Sequence, residues 1–352
     1  MKIAFFLPSK ETVYAARFIH NGYKNAFEDM GHKFFTLTSN DNLEKFLKKN
    51  RPDVFMYGLS FYHLKFLDLR ILEKYRQKGM VVFCQIGSWN NLTNIYGAGA
   101  LKNNHKYVKL IKSGLAGDFF WHWFEQDEPL MKGFVKETGK QFETILLAAD
   151  KTVYYPDYSK DFNFDFNYVG SFLPTKRDYL KKNIFPLMRK YQVKIFGSDW
   201  TVWSRLLGIV QKLGQYFNIE PLKHIRNLKL TVGDERKLYS SSKICLNVHE
   251  NHVIKHNCEI NERTYKILAC GGFEICDNLP LIRKYFSENE LIIAKNSTDF
   301  QKKVAYFLSH DDERIKIARA GHKKVMRFHT YHNRARQILG LYKNFKKTTH
   351  GN

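Results

Sequence analysis

Asn261, Glu262 and Arg263 are the residues whose types and spacing point most directly to chemistry. They precede an apolar run with helical spacing that ends at Gly271-Gly272, and glycine readily takes the left-handed conformation that closes a helix. The first backbone N–H groups of a helix lack partners within it, and together with a guanidinium they suit a phosphate. The sequence therefore predicts a phosphate-binding helix start at 261–263.

Alternating strands and helices must position this helix start. Short apolar runs bounded by turn residues are typical of buried parallel strands, and amphipathic runs separate them. We predict strands at 2–7, 33–37, 52–58, 80–86, 167–172, 193–197, 243–248, 273–276 and 291–294. Doubly wound sheets bind ligands beyond the carboxyl ends of their strands. The loops at 9–11, 59–61 and 87–91 would therefore face one crevice.

The pattern Asn-x-Arg-x-Tyr-x-Ile-x-Ala-Cys-Gly-Gly-Phe at 261–273 resembles the signature of the CgeB-like (spore-maturation type) glycosyltransferases, akin to the glycosyl transferases group 1 family. Further segments of the chain resemble the same family, at 144–156 (Leu-Ala-Ala-Asp followed by Tyr-Pro), at 246–249 (Leu-Asn-x-His) and from Arg314 onward. The resemblance thus covers the chain from about Thr144 to its end. It implies transfer of a sugar from a nucleotide-sugar donor to an acceptor hydroxyl.

The resemblance also implies the fold, which is α/β of the GT-B type. In that fold two Rossmann-like, doubly wound domains face a cleft, and a C-terminal helix crosses back to the N-domain. We expect an acceptor domain at 1–150, a linker at 151–165, a donor domain at 166–330 and the returning helix at 331–352.

Residues expected at the donor site follow from the same resemblance. In the family, the loop before the helix near Asp178 faces the donor diphosphate, which assigns Lys176 and Arg177 to it. Arginine binds phosphate through a planar pair of N–H groups without needing a metal, although a solvated basic helix start is the simpler interpretation. The remaining expected donor contacts are Gly197, Asn261, Glu262, Arg263, Lys266, Gly271, Gly272 and Asp277.

Lys266 departs from the family pattern. The family usually has a glutamate five residues before the first glycine, where it holds the ribose hydroxyls, and a lysine cannot accept hydrogen bonds from them. Either Glu262 or Asp277 takes over that role, or the nucleotide is held differently, or the activity is weak or lost.

Candidates for contact with the acceptor come from two segments. The aromatic window 119–129 ends in Glu125, Asp127 and Glu128, which could act as a general base or bind the acceptor, or could simply be the solvated end of a buried strand. His122, between two tryptophans in that window, is interpreted as a core histidine. His249 ends the strand before the helix start and is either a contact to the transferred sugar or a structural histidine.

The bulk composition limits the partners. The chain has 352 residues, a net charge of +23 and five cysteines without a Cys-x-x-Cys pair, which indicates free thiols in a reducing cytoplasm rather than disulfides or zinc. The charge favours an anionic partner: nucleic acid, a membrane surface or a phosphorylated substrate. A basic-aromatic nucleic-acid motif is not found, and no apolar run is long enough for a membrane span. The apolar start, residues 1–8, is interpreted as a first strand and not as a signal peptide.

The segment 199–217 has an apolar helical face flanked by Arg205 and Lys212, with Lys223, Arg226 and Lys229 following. The apolar residues are Trp200, Trp203, Leu206, Leu207, Val210, Leu213 and Phe217. Such a helix either packs on its domain or rests on an anionic bilayer. The second case would suit a lipid-linked acceptor and a cytoplasmic, peripheral membrane protein on the inner membrane face.

Taken together, the residues favour a metal-independent glycosyltransferase without a cofactor, because Arg177, Arg263 and the helix start would neutralise the leaving diphosphate. A plausible Asp-x-Asp metal motif is absent, which agrees with this expectation. The acceptor would be a glycan, a lipid-linked group or a protein. Three alternatives stay open: another enzyme of the same fold such as an epimerase or a phosphorylase, a non-catalytic nucleotide- or sugar-binding protein, and a nucleic-acid-binding protein.

Overall fold

The computed structural model describes residues 1–9, 15–89, 105–223, 225 and 230–350. Parts of the loops at 9–11 and 87–91, and the residues Arg226 and Lys229, lie outside this range. The chain divides into two compact units. Unit 1 comprises 1–146, 214–223 and 332–352, and unit 2 comprises 147–213 and 224–331.

Unit 1 contains a six-stranded parallel sheet. Its strands are β1 (Lys2–Phe6), β2 (Lys33–Leu37), β3 (Val54–Gly58), β4 (Val81–Gln85), β5 (Phe119–His122) and β6 (Glu143–Thr144). They pair in the order β2-β1-β3-β4-β5-β6. The helices between them are α1 (Ala15–Asp29), α2 (Leu43–Asn50), α3 (Leu69–Arg76), α4 (His105–Lys112) and α5 (Phe134–Thr138). Strands β1, β3 and β4 are almost wholly buried, as expected for strands covered on both faces.

Unit 2 contains a five-stranded parallel sheet. Its strands are β7 (Phe166–Val169), β8 (Val193–Phe196), β9 (Ile244–Asn247), β10 (Glu274–Cys276) and β11 (Ile292–Ile293). They pair in the order β11-β10-β9-β7-β8. The helices after β7 are α6 (Arg177–Tyr179), α7 (Val202–Phe217), α8 (Glu220–Lys223), α9 (Val232–Ser241), α10 (Asn251–His256), α11 (Glu262–Ala269), α12 (Ile282–Tyr285), α13 (Ser297–Ser309), α14 (Asp311–Phe328) and α15 (Tyr331–His350). Of these, α8, the end of α7 and α15 from His332 onward belong to unit 1.

The C-terminal helix joins unit 1 from His332 onward. There Arg334 Nε donates to the carbonyl of Leu146 at 2.9 Å, and Gln337 Nε2 donates to the carbonyl of Thr144 at 3.0 Å. His332 Nε2 lies 2.8 Å from an oxygen of Asp29. The first two contacts place the helix beside β6, and the third joins it to the end of α1.

The predicted class of two doubly wound parallel sheets is confirmed, with two local differences. The short polar strand β6 was not expected, because two residues carry no periodicity. The sequence also predicts a pause at Gly321, but α14 runs through it without interruption. A side chain at Gly321 would collide with the carbonyl of Glu290, so this glycine serves close packing and not a break.

The structure also bears on the cysteines and on membrane insertion. All five cysteines are buried, and none of them forms a disulfide. None of the helices among the described residues has the length and hydropathy that a membrane span requires.

Candidate functional site

The carboxyl edge of the second sheet is built around two glycines at the ends of neighbouring strands. Gly170 follows β7 and Gly197 follows β8, and the backbones approach so closely that a Cβ on Gly197 would collide with the carbonyl of Gly170. The φ angle of Gly197 is +140°, a value that other residues rarely adopt. Gly197, expected as a donor contact, therefore allows this close approach at the edge.

Asn247 connects this edge to the start of α11. Its amide Nδ2 donates to Glu274 Oε1 at 2.8 Å and lies 3.0 Å from Asn261 Oδ1. Asn261 in turn caps α11, where its side chain accepts from the backbone N–H of Thr264 at 3.3 Å. Burial raises the pKa of Glu274 to about 7, although hydrogen bonds from Asn247 and Thr264 lower it. The helix start is thus fixed by a buried polar network.

Arg263 is the cation that this network orients. Its Nη1 donates to Asn247 Oδ1 at 2.7 Å, and its guanidinium carbon lies 5.6 Å from the centre of the Tyr168 ring. A Cβ on Gly170 would lie 3.0 Å from Arg263 Nη2, so the guanidinium lies against the glycine backbone at the sheet edge. Arg263 is partly exposed and has no ion pair with a described carboxylate. It is therefore held in place while keeping N–H groups for a ligand.

Lys176 brings a second cation to the same place. It is 7% exposed, and no described residue forms a hydrogen bond or ion pair with its ammonium. Burial, followed by the positive charge of Arg263, lowers the pKa of Lys176 to about 8, while Glu250 and Asp277 act in the opposite direction. Because neither cation pairs with a carboxylate of the described residues, the two together suit an anion.

Arg177, the first residue of α6, lies beside Lys176. Its guanidinium carbon is 5.5 Å from the centre of the Phe172 ring, and its buried Nε has no hydrogen-bond partner among the described residues. The loop before it is tied to the end of β9, because Thr175 Oγ1 donates to Glu250 Oε2 at 3.0 Å.

His249 and Asp277 form a buried pair at the ends of β9 and β10. The Nδ1 atom of His249 lies 2.6 Å from Asp277 Oδ1, and the backbone N–H of His249 donates to Asp277 Oδ2 at 2.7 Å. The other ring nitrogen, Nε2, is buried and lacks a hydrogen-bond partner in the described part of the chain. A carboxylate at Nδ1 holds the proton there, so Nε2 is left as an acceptor.

Lys266 and Glu262 lie on another face of α11. Lys266 Nζ is 3.3 Å from Glu262 Oε2 and 4.0 Å from Glu235 Oε1, and it lies 5.0 Å from the centre of the Tyr154 ring. Burial raises the pKa of Glu262, and the charge of Lys266 partly opposes that rise. The lysine that departs from the family pattern is therefore charge-compensated by two buried carboxylates.

The two glycines after α11 are distant from this start. Eight residues separate Arg263 from Gly271, a rise of about 12 Å along a helix. Gly271 has a φ of +72°, and a Cβ on Gly272 would lie 2.6 Å from the carbonyl of Tyr239. The pair closes the helix and packs tightly, and the structure does not bring it together with Arg263.

The candidates in unit 1 differ in burial. Glu128 is buried, its Oε1 has no hydrogen-bond partner among the described residues, and burial raises its pKa to about 7. Asp127 beside it is exposed. His122 accepts a hydrogen bond at Nδ1 from the backbone of Phe124 at 2.9 Å, and burial lowers its pKa to about 3. That environment is the one expected for a neutral core histidine.

Several residues of the site were missed by the sequence reasoning. They are Tyr168, Gly170, Asn247, Thr264 and Glu274. A polar residue within an apolar strand could have indicated two of them, because Asn247 and Glu274 interrupt the apolar runs that form β9 and β10. No group of three or more metal-binding side chains is found among the described residues.

Comparisons with known proteins agree with this architecture. The family described as glycosyl transferase-like matches residues 178–340. The spore protein CgeB of Bacillus subtilis (strain 168) is 27% identical over 153 residues, which cover 40% of this chain and 43% of that protein. The chain therefore matches less than half the length of this curated relative.

Solved structures share the fold over nearly the whole chain. Sucrose-phosphate synthase from Thermosynechococcus elongatus superposes with a TM-score of 0.62 at 11% identity, covering 99% of both chains. Anabaena HepE in complex with UDP and glucose gives 0.63 at 11% identity, covering 98% of this chain and 100% of that one. The T4 phage BGT in complex with its UDP-glucose substrate gives 0.56 at 12% identity, covering 99% of both. The chain is thus similar in sequence to glycosyl transferase-like proteins over part of its length, and it shares its fold with these solved structures over nearly all of it.

Proposed function

We propose that this protein transfers a sugar, of the hexose class, from a nucleoside diphosphate sugar to an acceptor hydroxyl. The observation that carries the proposal is the pair of cations Lys176 and Arg263 at the carboxyl edge of the second sheet, beside the N-terminus of α11. Arg263 lies in the part of the chain that the glycosyl transferase-like family matches, whereas β7 and Lys176 precede that part.

The leaving diphosphate is the group that these cations suit. In a sugar transfer the anomeric carbon–oxygen bond breaks and the diphosphate leaves with the electron pair, so negative charge grows on its oxygens. Arg263, held by Asn247, offers a planar set of donors, and Lys176 adds a charge in a buried environment. Arg177 is a third proposed contact on the same side.

The nucleotide is proposed to be uridine diphosphate, because structures of similar fold have been determined with UDP or UDP-glucose. Glu262 is the proposed partner of the ribose hydroxyls. Its neighbour Lys266 occupies the position of the family's glutamate, but it already pairs with Glu262 and Glu235. In this proposal Lys266 orients Glu262 instead of touching the ribose itself.

His249 is the proposed acceptor of the hydroxyl proton. As the acceptor oxygen bonds to the anomeric carbon, its proton moves to Nε2, and Asp277 stabilises the imidazolium through Nδ1–H. Asp127 and Glu128 of unit 1 are proposed to bind the acceptor. The acceptor is proposed to be a glycan, a lipid-linked group or a protein, with the enzyme in the cytoplasm and in contact with an anionic membrane surface.

Metal independence is part of the proposal, since Arg263, Arg177 and Lys176 would take the role that a divalent cation has in other transferases. The test is thermal unfolding with nucleoside diphosphates and their sugars in EDTA. A ligand that binds only the folded state at about 100 Kd stabilises it by about 2.7 kcal/mol. We expect one nucleotide class to raise Tm in the wild type and in Arg319→Ala, an exposed arginine of the same unit, but not in Arg263→Ala.

A non-catalytic binding protein is the second candidate, because Lys266 replaces the family's glutamate. It shares the thermal stabilisation but not the chemistry. Release of free UDP from a UDP-sugar by the wild type would exclude it, whereas stabilisation without any release, with or without acceptor, would favour it.

A further inference from the structure

The helix α7 presents large apolar side chains to solvent. Trp203 is 69% exposed and Phe217 is 63% exposed. The other exposed apolar residues of the helix are Val202, Leu206, Ile209, Leu213 and Tyr216. They recur at intervals of three and four residues, so they form one continuous stripe, named here the α7 stripe.

The opposite face of α7 is small and polar, and it is the face that packs. Gly208, Gln211 and Gly214 are buried. A side chain at Gly214 would collide with Leu222, so only glycine permits this packing. This is the reverse of the pattern of an ordinary surface helix, whose apolar face turns inward.

A capping bond defines the start of α7, and contacts with other residues of unit 1 hold its end. At its start, the backbone N–H of Ser204 donates to Thr201 Oγ1 at 3.1 Å. Toward its end, Tyr62 Oη donates to the carbonyl of Gln215 at 2.5 Å, and the Lys65 ammonium lies 3.3 Å from the centre of the Tyr216 ring. The end of α7 is therefore fixed, and the stripe forms a larger exposed apolar surface than isolated surface residues do.

The charges around the stripe indicate what covers it. The sixteen residues of α7 include Arg205 and Lys212 but no acidic residue. Glu220, the next acidic residue along the chain, pairs with Lys223 at 2.7 Å. The aromatic residues Trp203 and Tyr216 lie near the two ends of the stripe, as they do at membrane–water interfaces. A second copy packed face to face would bring Arg205 and Lys212 against their own equivalents.

We propose that α7 lies on an anionic lipid surface, with the α7 stripe in the boundary between headgroups and acyl chains and Arg205 and Lys212 near the lipid phosphates. Docking on a membrane would bring a lipid-linked acceptor within reach. Only this consequence rests on the proposed function, which it deepens.

Co-sedimentation of the full chain tests the docking, with vesicles of phosphatidylcholine alone and of phosphatidylcholine and phosphatidylglycerol in equal amounts. The double variant Trp203→Glu/Ile209→Glu places two carboxylates in the stripe. Its control is Ile315→Glu, which alters an exposed apolar residue of α14. We expect the wild type and the control to bind the anionic vesicles preferentially, and the double variant to bind them at least about tenfold more weakly.

Tryptophan fluorescence provides a second readout. The other four tryptophans of the chain, Trp89, Trp121, Trp123 and Trp200, are buried or partly buried, so Trp203 is the most exposed of the five. Lipids brominated on the acyl chain should quench the emission of the wild type. The conservative variant Trp203→Phe should still bind the anionic vesicles but lose most of that quenching.

Three outcomes would overturn the proposal. They are an absence of wild-type binding to the anionic vesicles at low salt, equal binding by the double variant, and a wild-type dimer in light scattering that the double variant abolishes. The last outcome would assign the stripe to a second copy. The proposed function is tested separately, by thermal stabilisation with nucleotides in the absence of vesicles. A double variant that retains the nucleotide response is folded, and loss of its vesicle binding then concerns the stripe alone.

Discussion

The Nδ1 atom of His249 lies 2.6 Å from Oδ1 of Asp277, and both side chains are almost fully buried. Because Asp277 also accepts the backbone N–H of His249, the imidazole is fixed both in position and in tautomer. The Nε2 atom, which has no hydrogen-bond partner among the residues that the structure describes, is then the basic nitrogen of this pair that a substrate hydroxyl could use.

His249→Gln should therefore reduce kcat by about 10²- to 10⁴-fold, the usual contribution of a general base. Its KM for the donor should change little. Asp277→Asn should also lower kcat, because the amide no longer favours the Nδ1–H tautomer of His249. The exposed His310→Gln is the matched control. A variant of His249 that keeps wild-type kcat and the nucleotide-induced rise in Tm would show that the histidine is structural.

Arg263→Ala should weaken donor binding by about 10- to 100-fold, since a hydrogen bond to a charged group contributes about 1.5–3 kcal/mol. Arg263→Lys should recover only part of that loss, because an ammonium cannot reproduce the planar pair of donors. Titration calorimetry with the nucleoside diphosphate measures both, with Arg319→Ala as control. Equal affinity in all three variants would contradict the role given to Arg263.

Donor affinity should fall as pH rises through about 8, because the neutral form of Lys176 no longer attracts the diphosphate. Binding should therefore take up a proton near pH 8. In Lys176→Met the affinity should be lower, and this pH dependence should be absent. Calorimetry in buffers of different ionisation enthalpy measures the proton uptake directly.

Whereas donor affinity should fall as the pH rises, Lys176 should make the unliganded protein more stable as the pH rises. Burial lowers the pKa of Lys176 in the folded state below its unfolded value, so the charged form is disfavoured by folding. As the pH rises from about 8 toward the ordinary lysine pKa, the free energy of unfolding of the wild type should therefore increase relative to that of Lys176→Met. Denaturant titrations at several pH values measure this difference, and a constant difference would contradict the buried state of Lys176.

Lys266→Glu, which restores the residue usual in the family, should destabilise the protein. The substitution places a third carboxylate beside Glu262 and Glu235, and breaking a buried ion pair typically costs about 3–5 kcal/mol. Lys266→Met should cost less, since it removes the cation without adding an anion. Urea unfolding measures both. A variant Lys266→Glu as stable as the wild type, or more active, would show that the pairing seen here is dispensable.

Gly197→Ala should lower the free energy of unfolding by about 1–3 kcal/mol, because the new methyl group meets the carbonyl of Gly170 and φ is positive. Gly233→Ala is the control, since a Cβ there would lie no closer than 3.9 Å to its nearest neighbour, Thr231 Oγ1. Similar unfolding free energies for the two variants would contradict the close packing of β7 against β8.

The fold could be predicted from the sequence because buried parallel strands are short continuous apolar runs, as in β2, which was placed at its observed bounds. The site could be predicted only in part. Arg263 was predicted because it lies at a helix start. Asn247, which orients it, is sixteen residues away in the sequence, and helical or strand spacing does not predict such a contact. Periodicity identified only part of the exposed apolar face of α7, because Leu207 and Val210, predicted on it, are half-buried. It could not give the direction of that face, which the close packing of Gly214 on Leu222 decides.

The central claim is that Arg263 and Lys176 hold the diphosphate of a sugar donor during transfer. The most direct measurement is release of UDP from UDP-sugars in EDTA, below pH 8, by the wild type, Arg263→Ala and Arg319→Ala. We expect release by the wild type and by Arg319→Ala, and a loss of at least about tenfold in kcat/KM for Arg263→Ala. Equal release by Arg263→Ala, or an absence of both release and binding in the wild type, would contradict the claim.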